Sequence, residues 1–270
     1  MKKIVQLAVS ALLLVSSGIT HAQNDNNLFN HLSVGVSVGT EGLPSIDVAA
    51  PIGNYVQVRA GYAIMPKFKF KADIDYTRNG NKYTADVAIK LNKGDFKLLF
   101  DAYPFKKSSF HFTAGAYIGS SEFAKIYNDA PLAGIDPSEW GTAQIQISNN
   151  PEHMFSTDNG GNVKGRVKVA GFKPYLGIGF GRVVPSSRLT VNFDLGLQIW
   201  GKPKVEMYQY DITGLSNKWV EFKKADFDDW YDTNGNLVKH KDKDGYNLVK
   251  ICNGIFAYPV LQVRLGFRIF

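Results

Sequence analysis

Eight segments of this chain alternate apolar residues with polar or small ones at a period of two, and helical 3.6-residue patterns are nearly absent. Leu32, Val34, Val36 and Val38 alternate with Ser33, Gly35, Ser37 and Gly39. The same pattern returns over 45–52, 55–64, 96–103, 110–119, 175–181, 189–199 and 261–269. Such segments are half-buried strands, one face apolar and the other polar. The links between them alternate in length. Gly53-Asn54, 104–109 and 184–187 are tight, whereas 66–94, 120–169 and 201–254 are long, and the short link Thr40 to Pro44 falls on the long-loop side by count. Short turns at one end and long loops at the other are the habit of membrane barrels, and a soluble sandwich has no reason to adopt it. The pattern predicts an all-β fold, an antiparallel up-and-down transmembrane β-barrel of eight strands with long extracellular loops. A soluble eight-stranded ligand-binding barrel or jelly roll fits the alternation but explains the loop asymmetry less well. Two further segments, 68–76 and 83–91, either raise the count to ten or form a hairpin above the membrane around Arg78-Asn79-Gly80-Asn81.

The polar face identifies the interior. Asp47, Arg59, Lys97, Asp101, His111, Asp194, Gln198, Gln262, Arg264 and Arg268 share it. Turning that face outward would put its arginines into lipid at about 2–4 kcal/mol each at the midplane. An eight-stranded barrel is only just wide enough for side chains to fill. Charges held there must pair, so Asp47, Arg59, Lys97, Asp101, Asp194, Arg264 and Arg268 are expected to form a lumen network that plugs the barrel. The competing reading is a narrow channel for small hydrophilic or amphipathic solutes. Gly177, Gly179 and Gly181 are expected to make room for large neighbours such as Tyr117 and Tyr258.

The address is written in the first 22 residues. Lys2 and Lys3 precede an apolar stretch over 4–15, and Thr20-His21-Ala22 places small residues before a cut ahead of Gln23. The stretch is too short to span a bilayer as a helix. Residues 1–22 therefore read as a signal peptide, and 23–270 as one outer-membrane barrel domain. The net charge of +7 comes from 31 Lys and Arg against 24 Asp and Glu, scattered without a basic run, so nucleic acid is not an expected partner. Cys252 is alone, and the fold does not rely on disulfides.

The chain ends in an alternating strand closing on phenylalanine, and Phe267, Ile269 and Phe270 resemble the C-terminal signal read by the barrel assembly machinery of Gram-negative outer membranes. The segment FKLLFDAYPFKKSSFHFTAGAYIG resembles the strand, periplasmic Pro-Phe turn and strand of small outer-membrane barrels of Bacteroidota. The architecture as a whole is similar to the OmpA/OmpW-like transmembrane barrels. The resemblance implies location in the cell outer membrane and brings no catalytic residue with it.

No chemistry-bearing motif emerges, and the chain is not expected to be an enzyme. His31 and His111 sit at the short-turn side, and His153 and His240 lie in long loops, where solvated histidines are expected. Asp232-Thr-Asn234-Gly-Asn236 spaces oxygens as a calcium loop does, but Gly is one position early and Lys243 stands where the bidentate Glu belongs, so a turn is expected. Asp242-Lys-Asp244-Gly245 reads as a turn too. No metal or cofactor is expected. The long loops carry the display surface. Loop 201–254 holds Trp219, Trp230, Tyr208, Tyr210, Tyr231 and Tyr246 among nine basic and nine acidic residues, and Trp219, Trp230 and Tyr231 are candidates to bind an extracellular ligand or glycan. The same aromatics also suit a small apolar core holding the loop as a β-rich cap. Loop 66–94 is basic, and Lys67, Lys69, Lys71, Arg78 and Lys82 suit the anionic sugars and phosphates of lipopolysaccharide among outer-membrane lipid. Trp200 and Tyr62 are expected in an aromatic girdle.

Overall fold

The computed structural model describes residues 30–269 apart from 66, 92, 151–152 and 210–217. The leader, Tyr210 and Phe270 lie outside the described residues. Eight strands close a barrel: β1 (Ser33–Gly39), β2 (Gly42–Ile52), β3 (Val56–Ile64), β6 (Gly94–Ala102), β7 (Phe110–Gly119), β12 (Phe172–Phe180), β13 (Leu189–Ile199) and β18 (Ala257–Arg268), numbered in chain order over all strands. Each pairs antiparallel with its sequence neighbour in the barrel, and β1 closes on β18 from Ser33 opposite Arg268 to Gly39 opposite Gln262. The wall is inside-out relative to a water-soluble protein. Leu195 is 54% exposed while Lys97, on the inner face, is 0% exposed. A wall of exposed Phe96, Phe112, Leu176, Val191 and Leu265 around a charged interior is stable only against hydrocarbon.

The segments left between strands in a ten-strand reading do not enter the barrel. β4 (Lys69–Arg78) and β5 (Asn81–Leu91) pair with each other across Asn79 and Gly80, whose φ values of 48° and 78° make the left-handed hairpin turn that Asn-Gly favours. They belong to a second sheet built from the long connections, together with β8 (Glu122–Asn128), β9 (Gln144–Gln146), β10 (Met154–Ser156), β11 (Lys164–Lys168), β14 (Lys204–Gln209) and β15 (Lys218–Phe222), in the order β10-β9-β4-β5-β8-β11-β14-β15. The middle of that order repeats the barrel order β3-β6-β7-β12-β13, because each of these strands is continued by the next segment of its own chain. Backbone bonds carry the ladder across the junction: Met65 N–H to Lys93 O at 3.0 Å, Gly119 N–H to Gly171 O at 3.0 Å and Ala170 N–H to Trp200 O at 2.9 Å.

This upper sheet has its own apolar core of Tyr76, Val87, Ile145, Phe155, Met207, Phe222, Phe227 and Val249. Burying each large side chain contributes about 1.5–3 kcal/mol, enough to hold the long connections in one shape. The segment read as a turn at Asp242-Lys-Asp244-Gly245 is instead the start of the helix α1 (Lys243–Gly254). Asp242 accepts from the backbone N–H groups of Asp244 and Gly245, the same bonds a turn would use. Tyr246, Val249 and Cys252, at helical spacing, pack on the core and decide for the helix. His153 is not a solvated loop histidine, for its ring packs on Phe155 and Phe222 at 6.2 and 5.6 Å. Trp200 is 4% exposed and stacked on Tyr258 with centroids 4.4 Å apart, so it leaves the girdle expected of it. Asp232 does make a turn, accepting from the N–H groups of Asn234 and Asn236 at 2.8 Å. The remaining two strands, β16 (Trp230–Tyr231) and β17 (Leu237–Lys239), form a separate ribbon.

Candidate functional site: the charged lumen and its short-turn mouth

Inward-facing charges fill the barrel in tiers. Five buried cations, Arg59, Lys93, Lys97, Lys173 and Arg264, stand against five buried carboxylates, Glu41, Asp47, Asp95, Asp101 and Asp194. In the tier nearest the long loops Lys97 Nζ lies 2.8 Å from Glu41 Oε1 and 3.2 Å from Asp47 Oδ2, while Lys173 Nζ meets Asp95 Oδ1 at 2.8 Å. The Tyr117 hydroxyl donates to the other Glu41 oxygen. Lys93 sits at the edge of this tier, 4.7 Å over the Tyr258 ring, and burial lowers its ammonium to about 8 against the pull of Asp95 and Glu41.

The middle tier centres on arginine forks. Arg59 donates to Asp194 Oδ2 at 2.7 Å and to Asp101 Oδ1 at 2.6 Å. His111 Nε2 faces the second Asp194 oxygen at 2.9 Å, and Thr113 donates to Asp101 at 2.7 Å. Arg264 holds Asp47 Oδ1 through Nε at 2.8 Å and Nη2 at 2.7 Å. Two glycines make room for its guanidinium: a Cβ added at Gly35 would lie 2.1 Å from Arg264 Nε, and one at Gly266 2.4 Å from Nη1. The neighbours served by Gly177 and Gly179 differ from those expected. A Cβ at Gly177 would meet the Tyr175 hydroxyl, and one at Gly179 would meet Asp194 and His111; Tyr117 and Tyr258 lie elsewhere.

The third tier is made by backbone. The turn 181–188, between β12 and β13, folds into the short-turn end of the barrel, where Val183 and Val184 are buried. Val183 O accepts from Ser33 Oγ at 2.8 Å and Arg264 Nη1 at 3.1 Å, and its N–H donates to the Tyr103 hydroxyl at 3.1 Å. Gln57 Oε1 accepts from Val184 N–H at 2.9 Å. Beneath this floor opens a bowl of ≈ 750 Å³. Arg268 lines the bowl and has no ionic partner among the described residues, so it stands apart from the lumen pairs it was expected to join.

Glu41, Lys93, Asp95, Lys173 and the 183–184 floor escaped the sequence reading. Asp95 and Lys173 are in phase with the inward faces of β6 and β12, and carrying each alternation two residues further finds them. Glu41 lies in the β1–β2 turn, where no periodicity operates.

The loop candidates are scattered. Lys69 and Lys71 both face Asp129, at 2.8 and 3.9 Å, and Arg78 meets Glu139 at 2.5 Å, which leaves Lys67 and Lys82 exposed with no ion pair among the described residues. Trp219 is half-buried under the Arg166 guanidinium, 3.8 Å from its ring centre. Four strands separate β4 from β15, so the lysines and Trp219 form no common surface. Trp230 and the exposed Tyr231 are on the separate ribbon. Phe267 and Ile269 point outward from the end of β18. Among the described residues no group of histidine, cysteine and carboxylate side chains is placed to hold a metal.

No family model matches the chain, and no curated protein matches it. Solved structures that do match include Acinetobacter baumannii CarO2, at 18% identity over 90% of this chain and 100% of that one with a TM-score of 0.44. Acinetobacter baumannii CarO matches at 19% identity over 87% and 96%, with a TM-score of 0.42.

Proposed function

We propose that this chain is an exported outer-membrane barrel whose lumen is closed by ion-paired side chains and whose role at the envelope is structural or binding, carried by its large outer sheet. The observation that carries the reading is the charge balance of the lumen: five buried cations against five buried carboxylates, with most oxygens spent on the pairs described above. A filter that passes ions keeps charge available to them; here Arg59, Lys97, Lys173 and Arg264 are each neutralised by a carboxylate at 2.6–2.8 Å, and Lys93 at the edge lies 3.9 Å from Asp95. In this reading the leader 1–22 is removed, the barrel assembly machinery recognises the C-terminal sequence with Phe267, Ile269 and Phe270, and the upper sheet faces outside. Lys67, Lys71 and Lys82 support contact with lipopolysaccharide, while Tyr231 and the half-buried Trp230 support an extracellular ligand or glycan. The architecture is that of OmpA/OmpW-like barrels, and the Bacteroidota turn motif belongs to the same proposal.

One observation favours a narrow channel instead: Gln198 Nε2, Gln262 Nε2 and Asn192 Nδ2 are buried in the lumen without a hydrogen-bond partner, so the interior keeps polar capacity beyond its ion pairs. Conductance decides between the two. Refolded protein, shown folded by heat-dependent gel migration, is expected to be silent in a planar bilayer; steady openings overturn the closed-lumen reading. Labelling of Lys71 by an impermeant amine reagent on intact cells tests the orientation.

A further inference from the structure

We infer that the short-turn mouth of the barrel is a binding site for a ligand bearing two or more phosphate or carboxylate groups. The bowl of ≈ 750 Å³ there is lined by Lys106, Lys107, Arg182, Arg268 and His31 and, among the described residues, by no Asp or Glu. None of the four Lys and Arg side chains has a carboxylate partner among the described residues, in contrast to the lumen above, where every cation does.

The site is held in place from beneath. The Arg182 guanidinium lies 4.7 Å over the Tyr103 ring and donates to the Lys106 carbonyl, which ties the turn 181–188 to the turn 104–109. Tyr103 in turn donates to Gln57 Oε1 at 3.0 Å and accepts from Val183 N–H, so the arginine rests on the buried floor. His31 Nδ1 is a second sign of unspent capacity, buried at the bowl without a hydrogen-bond partner among the described residues. Cations spread around a concavity of this size exceed what one small oxyanion can satisfy, and a fixed guanidinium flanked by exposed ammonium groups suits clustered oxyanions. Phosphate groups reach such a site from two sources, a soluble polyanion or the headgroups of the facing lipid leaflet, and the chemistry of capture is the same.

The test uses full-length barrel in phosphatidylcholine vesicles with inorganic pyrophosphate as the probe, measured by calorimetry. Binding is expected in the native barrel, weakened about tenfold or more by Lys106→Gln with Lys107→Gln and again by Arg182→Gln, a loss of about 1.4 kcal/mol per tenfold. The double lysine variant changes only exposed turn-tip side chains, so its folding is not at stake. A control that removes the same charge from the helix of the long connection, Lys243→Gln with Lys250→Gln, both exposed, is expected to bind as the native barrel does. Absence of pyrophosphate binding, or equal losses in the control and the lysine variant, overturns the inference. Adding phosphatidylglycerol to the vesicles assigns the source: competition with pyrophosphate supports the site with a lipid headgroup as occupant, and its absence supports it with a soluble polyanion. The inference does not require a closed lumen, and a conducting barrel would leave its outcome unchanged.

Discussion

Arg264 and Asp47, 217 positions apart in sequence, meet through two guanidinium nitrogens on one carboxylate oxygen at 2.8 and 2.7 Å. The contact reaches from β18 across β1 to β2 and ties the closing seam of the barrel from inside. Asp47→Ala leaves Arg264 and Lys97 buried with a missing partner and is expected to destabilise the barrel by about 3–5 kcal/mol. Asp47→Leu combined with Arg264→Met is expected to recover most of that loss, because both charges then avoid desolvation. Urea unfolding in detergent, followed by gel migration, checks both values; a double variant as unstable as the single one removes the ion pair as the cause.

Gly35 is required by the same guanidinium. Gly35→Ala drives a methyl group against Arg264 Nε and is expected to cost about 1–3 kcal/mol, the range for overpacking a filled interior. The cost should fall sharply when Arg264 is first shortened to alanine, a coupling read by the double-mutant cycle.

Lys93 gives the barrel a pH signature. Burial holds its ammonium at about 8, below the ordinary lysine value, so the unfolded chain keeps this proton to higher pH than the folded one. Folding therefore bears a cost for charging Lys93 below that value, and the cost is relieved as pH rises from about 8 towards 10. The unfolding midpoint of native protein relative to Lys93→Met is expected to rise over that window. A difference that stays flat would show that Lys93 titrates normally.

The upper sheet should melt on its own. Phe155 is fully buried in its core, and Phe155→Ala is expected to cost about 3–5 kcal/mol there. The lumen pairs are untouched by that change. Limited proteolysis should cut the connections 120–169 and 201–254 in the variant while the barrel keeps its heat-dependent migration, and simultaneous loss of both would show that the two sheets unfold as one.

In the closed-lumen proposal two closures stand in series, the Arg59 forks and the 183–184 floor. Val183→Gly with Val184→Gly loosens the floor but leaves the Arg59 forks in place, so the barrel is expected to stay silent in a bilayer. Openings in that variant alone would make the turn 181–188 the sole seal.

Much of the barrel was legible because a period of two is a local property. Each of the eight segments declared its two faces, and the inward positions of Asp47, Arg59, Lys97, Asp101, Asp194 and Arg264 followed from phase alone. The helix over 243–254 was not legible, since Asp242 serves a turn and a helix start equally and only the core of the upper sheet chooses between them. The expected solvation of His153 and the girdle position of Trp200 failed for a like reason: both rings are covered by residues distant in sequence, Phe222 in one case and Tyr258 in the other.

The sequence by itself determined the faces of eight strands and the order of short and long links, because these depend on alternation and turn chemistry within a few residues; whether 68–76 and 83–91 joined the wall it left open. Only the tertiary structure decided which charges meet, that Glu41 and Lys173 complete the balance of the lumen, and that the long connections continue the barrel wall as a second sheet. Coulomb pairing and strand register join residues many turns apart, and no local pattern records such a distance.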